Sequence, residues 1–281
     1  MNKTIEFTKM QATGNDFVMV DARSMDMDWQ ALSVKVCQYH FGIGADGLIL
    51  IMNSSRADLR MRIFNADGSE AQICGNGLRC FAKYAIDRKL AAGPQISVET
   101  MAGINLIETA ARNGKVASAR VNMGKPRLKA AEIPIALVVK EPVLDQILKV
   151  GGRTLKVSAV SMGNPHAVCF TDDKVEDFPL EEIGPLVEHH KLFPQRTNFE
   201  IVNIVGEDKL RVRVWERGVG ETLACGSGAC ATAVISRLKN KSKDHVDIML
   251  PGGTLTITWD GKSDVFLKGP AEEVFSGVYQ L

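Results

Sequence analysis

The sequence predicts an α+β protein of two pseudo-symmetric halves, each an antiparallel, strand-rich sheet wrapped around one central helix, with an active site in the cleft between the halves. Three observations predict it. Residues 59–77 and 210–228 align without a gap at a fixed offset: Leu59-Arg60-Met61-Arg62 meets Leu210-Arg211-Val212-Arg213, Glu70 meets Glu221, and Cys74-Gly75-Asn76-Gly77 meets Cys225-Gly226-Ser227-Gly228. Each copy runs from an alternating strand through a polar turn to a Cys-Gly-x-Gly step that opens a helix of small residues. Strand signals outnumber helix signals in both halves, an α+β pattern rather than a regular βαβ alternation.

The elements follow in order. Residues 5–10 read as a strand, and Ala12-Thr13-Gly14-Asn15-Asp16 is a turn before the apolar residues 17–20. That turn has an echo in Ser161-Met162-Gly163-Asn164-Pro165-His166, which precedes the apolar residues 167–170. Residues 29–39 read as a helix, leading through the glycine-rich residues 41–47 to a buried strand at 48–52. The glycines are not a phosphate loop, because the Walker spacing with its Lys is absent and a strand follows where a helix should. Residues 47–51 fall on 198–202, so the duplication continues upstream of the cysteines. The first Cys helix covers 75–89. Strands at 96–100 and 104–109 follow, repeated at 246–250 and 254–259, and residues 116–122 are echoed by 265–268. Residues 138–149 read as a helix or loop insertion. Residues 271–281 read as one more strand, able to pack through Val274, Phe275, Val278 and Tyr279 and to complete the sheet of the first half. The halves so drawn are 1–124 with 271–281, carrying Cys74, and 125–270, carrying Cys225.

Composition narrows the function classes. At 281 residues, 45% hydrophobic and 24% charged, the chain has ordinary globular composition. A net charge of +1 with no basic block excludes the electrostatic footprint of a nucleic-acid binder. No stretch approaches a membrane span and residues 1–10 hold no signal-peptide core, so the expectation is a cytoplasmic protein without membrane contact. Six cysteines are too few for a disulfide scaffold, and a reducing compartment would keep them as thiols.

The duplicated cysteines carry the chemistry. A thiol at a helix N-terminus has its anion stabilised by unpaired N–H groups and the positive end of the helix dipole. Two of them at one site, with the amides of Gly75, Asn76, Gly226 and Ser227 gripping a carboxylate, could bracket an α-carbon. One thiolate would remove a proton from one face while the other thiol delivers one to the opposite face, inverting the stereocentre. Cys37, Cys80, Cys169 and Cys230 read as small buried hydrophobes. A structural zinc site would want close Cys pairs, which are absent.

The residues also carry a resemblance. Residues 65–80 around Cys74, Met162-Gly163-Asn164-Pro165-His166, and residues 216–229 around Cys225 resemble the diaminopimelate epimerase family, and the likeness extends over essentially the whole chain. It implies interconversion of LL- and meso-diaminopimelate by two thiols, without pyridoxal phosphate or metal, in a protein that is commonly a homodimer. It makes Cys74 the base toward the LL isomer and Cys225 the acid, with His166 and Glu216 tuning them. Asn15, Asn65, Asn164, Asn198, Glu216 and Arg217 would contact substrate. One departure is Gly47, where some members carry Gln. Two alternatives stay open: another racemase or isomerase of the same fold (proline, hydroxyproline, histidine or phenazine type), and a duplicated thiol-based binding or redox module.

Overall fold

The computed structural model describes residues 4–136 and 140–281. The chain divides into two compact units, Met1–Asn122 with Lys268–Leu281 and Met123–Leu267.

In the first unit, β1 (Thr4–Ala12) and β2 (Asn15–Asp21) form a hairpin, and α1 (Trp29–Cys37) leads to β3 (Gly47–Met52). β4 (Leu59–Asn65) and β5 (Glu70–Ala71) precede α2 (Gly75–Asp87), and β6 (Gln95–Thr100), β7 (Gly103–Arg112) and β8 (Lys115–Asn122) follow it. Most pairings are antiparallel. The exceptions fall where a helix intervenes: β2 and β3 run parallel across α1, and β4 and β6 run parallel across α2. A parallel pair needs a crossover rather than a tight turn, and each helix supplies one. The antiparallel sheet expected from the sequence therefore carries two crossovers in this unit.

β3 shows why the core forms here. Residues 48–51 of its run GLILIM are fully buried, because both strand faces are covered. Leu48 and Leu50 join Val18, Val20, Leu32 and Val36 on the α1 side. Ile49 points the other way, toward Gly77 of α2. α2 itself has ten buried residues among its thirteen, as a helix inside a sheet must.

The second unit repeats this order. β9 (Gln146–Val150) pairs with β10 (Arg153–Ser161), which forms a hairpin with β11 (Pro165–Phe170). α3 (Leu180–Glu188) crosses to β12 (Asn198–Gly206), parallel to β11. β13 (Lys209–Glu216) and β14 (Gly220–Thr222) precede α4 (Gly226–Leu238), which crosses to β15 (His245–Leu250), parallel to β13. β16 (Gly253–Thr258) follows, and β17 (Phe266–Pro270) begins in this unit and runs on into the Lys268–Leu281 segment of the first. Register is repeated as well as order. Phe17 pairs Gly47 as His166 pairs Asn198, Leu48 pairs Phe64 as Phe199 pairs Trp215, and Leu59 pairs Val98 as Leu210 pairs Ile248.

Two details differ from expectation, and a helix, α3, lies where the sequence reading placed no element. Within 138–149, Gln146–Val150 belongs to a strand rather than a helix or loop, with Leu148 and Val150 buried between exposed Ile147 and Lys149; Val138 and Val139 lie outside the described residues. The segment of α3 is helical although Gly184-Pro185 interrupts its helix pattern. Gly184 is needed because a Cβ there would meet the Trp215 ring at 2.6 Å. The last strand, β18 (Glu272–Gln280), pairs antiparallel with β1 and so joins the first unit's sheet, but it packs less than expected. Tyr279 leans on the α1-side core and Phe275 meets Phe7 edge to face at 5.8 Å, while Val274 and Val278 are exposed.

Candidate functional site

Cys74 and Cys225 are the N-cap residues of α2 and α4, two helices of thirteen residues each. Both have extended backbone, and in both the sulfur accepts a hydrogen bond from the amide three residues on, Gly77 N–H at 3.5 Å and Gly228 N–H at 3.3 Å. A side-chain acceptor in that position satisfies one of the amides that a helix leaves unpaired at its start. The Cys-Gly-x-Gly spacing folds this way because the third residue after the cap must come close to both the sulfur and the strand beneath. The first-turn residues Gly75, Asn76, Gly226 and Ser227 lie at these two helix starts.

Around Cys74 the structure gathers Asn15 and Asn76. The Cys74 thiol lies 3.8 Å from Asn15 Oδ1, which also accepts from Asn76 Nδ2 at 3.1 Å. Asn15 Nδ2 donates to Asp46 Oδ2 at 2.6 Å, and Asp46 in turn accepts from the Asp16 amide. Asn76 is buried, and its Oδ1 has no hydrogen-bond partner among the described residues. Asn65 stands apart from this cluster, exposed at the end of β4 with its Nδ2 donating to Ser69 Oγ at 2.9 Å.

Around Cys225 the setting is different. Its Sγ lies 3.4 Å from Ser227 Oγ and the residue is buried. Beneath Gly228 sits Glu200 of β12, fully buried, with Oε1 2.6 Å from His166 Nδ1. His166, also fully buried, has its Nε2 3.0 Å from Asn164 Oδ1. Burial pushes the Cys225 thiol well above its ordinary value. The Glu216 carboxylate pushes it further in the same direction and Glu200 adds to this, while Ser227 and the Gly228 amide pull it back. Burial likewise raises the Glu200 carboxyl, against the pull of His166.

The polar loops are tied in by their own contacts. Asn198 donates to the Pro165 carbonyl and accepts from the Arg217 amide, both at 2.9 Å, so it links the 163–166 turn to the turn after β13. Glu216 accepts from Thr222 Oγ1 at 2.5 Å. Arg217 is exposed, and its guanidinium donates to the Gln195 carbonyl; among the described residues no carboxylate pairs with it. Gly47 leaves no room for a longer residue without movement, since a Cβ there would come within 2.8 Å of the Phe64 carbonyl. The other cysteines are buried, and burial pushes Cys37 and Cys80 up to about 12 and Cys169 up to about 11.

Sequence reasoning missed Glu200. The signal was present: the repeat lays Glu200 over Ile49, a carboxylate in an otherwise apolar strand.

A family model described as diaminopimelate epimerase matches residues 7–129 and 158–274. The chain is 49% identical over 280 residues to a diaminopimelate epimerase of Moorella thermoacetica, covering 99% of this chain and 100% of that one. It is 47% identical to the enzyme so named from Halothermothrix orenii, covering 97% of each chain. Among solved structures, a phenazine biosynthesis protein of the PhzF family from Bacillus anthracis superposes with a TM-score of 0.73 at 18% identity over 99% of this chain and 100% of that one. A hydroxyproline epimerase from Agrobacterium vitis, solved with trans-4-hydroxy-L-proline, gives 0.72 at 14% identity over 100% of this chain and 94% of that one. At such identities the structural likeness speaks for the fold.

Proposed function

The chain belongs to the diaminopimelate epimerase family, and we propose that it interconverts LL- and meso-diaminopimelate with Cys74 and Cys225 as paired acid and base, using neither pyridoxal phosphate nor a metal. The observation that carries this reading is the repeated cap: two thiols, one in each unit, each held at the start of an equal-length helix by the amide three residues on.

The roles follow from the two settings. Toward the LL isomer, Cys74 takes the α-proton as thiolate and Cys225 returns one to the opposite face as thiol; in reverse they exchange. Burial and the neighbouring carboxylates favour the protonated form of Cys225, which suits the donor. The first-turn amides of Gly75, Asn76, Gly226 and Ser227 bind the α-carboxylate, as helix starts bind anions. Arg217, with no acidic partner among the described residues, takes the distal carboxylate, and Asn15, Asn65, Asn164, Asn198 and Glu216 orient the amino groups and the chain. His166 and Glu216 tune the thiols. The resemblance further supports a cytoplasmic homodimer with no nucleic-acid or membrane partner. Light scattering on purified protein checks the dimer, and a monomer mass would remove that part.

Deuterium incorporation at the substrate α-carbon in deuterium oxide tests the reaction. LL-diaminopimelate is expected to exchange and epimerise while proline and histidine do not, and Cys74→Ala and Cys225→Ala are each expected to abolish epimerisation. Near wild-type turnover by either variant would rule out the two-base assignment. Exchange of proline in place of diaminopimelate would move the substrate to another racemase class.

A further inference from the structure

The two units differ in what lies beneath their matching helix starts. Gly77 and Gly228 occupy the same place in α2 and α4, each pressed on the strand below. A Cβ on Gly77 would lie 3.0 Å from Ile49 Cδ1, whereas on Gly228 it would lie 2.8 Å from Glu200 Oε1. Ile49 and Glu200 are repeat partners, and so are Phe17 and His166. Two apolar residues of the first unit have thus become a buried acid–base pair in the second. Both changes fall on adjacent parallel strands: His166 pairs Asn198, and Glu200 lies two residues on, on the same sheet face. Without His166 the buried Glu200 side chain would lose the hydrogen bond to its Oε1, and without Glu200 the His166 Nδ1 would lose its partner, so the two replacements belong together.

The pair also reaches the thiol. The point that a Cβ on Gly228 would occupy is 2.8 Å from Glu200 Oε1 and 3.4 Å from Cys225 Sγ, which puts oxygen and sulfur within roughly 6 Å, a range over which one charge acts on another's ionisation. The groups facing Cys225 are Glu216 from β13, Glu200 from β12 with His166 of β11 bonded to it, and Ser227 with the Gly228 amide from α4.

We propose that Glu200 is a positioning residue of the reaction: it holds the His166 ring through Nδ1 and gives the Cys225 thiol a buried carboxylate neighbour where Cys74 has Ile49. The chemical inequality of the two thiols is then written in strand β12, while the helix starts stay alike. A carboxylate beneath Cys225 disfavours its thiolate and keeps it as the proton donor. The inference rests on the reading of Cys225 as an acid–base thiol.

The test follows the 13Cβ resonance of Cys225 against pH in full-length protein labelled at cysteine, assigned with Cys225→Ala, so it reads thiol ionisation whether or not the protein turns over. Wild-type Cys225 is expected to titrate above the free-thiol value of about 8.5. Glu200→Gln, which keeps the volume and an acceptor oxygen but removes the charge, is expected to lower that midpoint by about one pH unit, raising the thiolate fraction at pH 8 about tenfold. An unshifted midpoint in Glu200→Gln with native-like resonances for the other cysteines overturns the proposal. So does a wild-type midpoint at or below the free-thiol value. If the Gln variant does not fold, the 15N spectrum of His166 in wild-type protein decides: a proton on Nδ1 supports the hold by Glu200, and an unprotonated Nδ1 overturns it. A shifted Cys225 in a protein that fails to epimerise diaminopimelate would sink the proposed reaction, and with it the role of Glu200 in that reaction, and leave standing only the hold of Glu200 on the Cys225 thiol.

Discussion

Gly77 and Gly228 look interchangeable in the sequence, yet they bear different loads. Beneath Gly77 is the end of a flexible isoleucine; beneath Gly228 is a carboxylate oxygen fixed by His166 at 2.6 Å. Gly77→Ala is therefore expected to be close to neutral, since the Ile49 methyl can give way and Ala gains roughly 0.5–1 kcal/mol of helix preference. Gly228→Ala is expected to cost about 1–3 kcal/mol as overpacking against a group that cannot move, and to reduce turnover through Cys225. Denaturant unfolding of the two variants side by side checks this, and equal losses would mean that Glu200 is not held as described. Cys74, Cys225 and the Asn164–His166 turn were legible because they sit in motifs, whereas Glu200 was not, because a lone Glu in a strand reads as solvent-facing. Only the fold reveals that it is fully buried.

Elements whose pattern repeats were read well, and those that break a local rule were not. The first Cys helix ended within two residues of the expected bound, and the strands after both Cys helices were found as pairs. α3 was missed because Gly184-Pro185 obscures its helix period, although it lies where the repeat of α1 requires a crossover. The repeat also preserves a brace. Arg62 holds Glu70 bidentately at 2.7 and 2.9 Å, and Arg213 holds Glu221 at 2.7 and 2.8 Å, each linking a central strand to the short strand that leads into the Cys helix. The Arg62 hydrogen bonds lower the Glu70 carboxyl below its ordinary value. A carboxylate with a depressed folded value contributes stability above its unfolded value and loses it as pH falls through the folded one. Glu70→Gln is accordingly expected to be less stable than wild type at pH 7, by up to about 1 kcal/mol for a pair this exposed, with the difference vanishing as pH falls below about 4. Thermal melts across that range check the sign, and a gap that persists in acid would mean that Glu70 acts through packing rather than charge.

At the scale of the whole chain, the duplication made the architecture legible, and the crossovers were hidden because parallel pairing leaves no local mark in a sequence. The exposed last strand was misjudged for a related reason: four apolar residues signal a strand but not which of its faces is covered. β18 nevertheless closes the first unit. It pairs β1 from Thr4↔Gln280 to Gln11↔Glu272, Arg88 of that unit bonds Glu273 at 3.1 Å, and the Phe7 ring lies so close to Gly277 that a Cβ there would come within 3.0 Å of it. Residues 4–7 of β1 pair with β18, since the pairing with β2 begins at Thr8. The first unit therefore completes its sheet by pairing two strands about 270 residues apart in sequence, a contact of the non-local kind that slows folding. Removing residues 272–281 is expected to leave the amides of the second unit's core strands protected, while those of residues 4–7 lose protection on the order of a hundredfold or more, because their ladder partner is gone. Hydrogen exchange read residue by residue on the truncated and full-length proteins measures this. Equal loss in both units would show that the terminal strand supports the whole molecule rather than the first unit alone, and unchanged protection at residues 4–7 would show that β1 is held by its packing on the core without its partner.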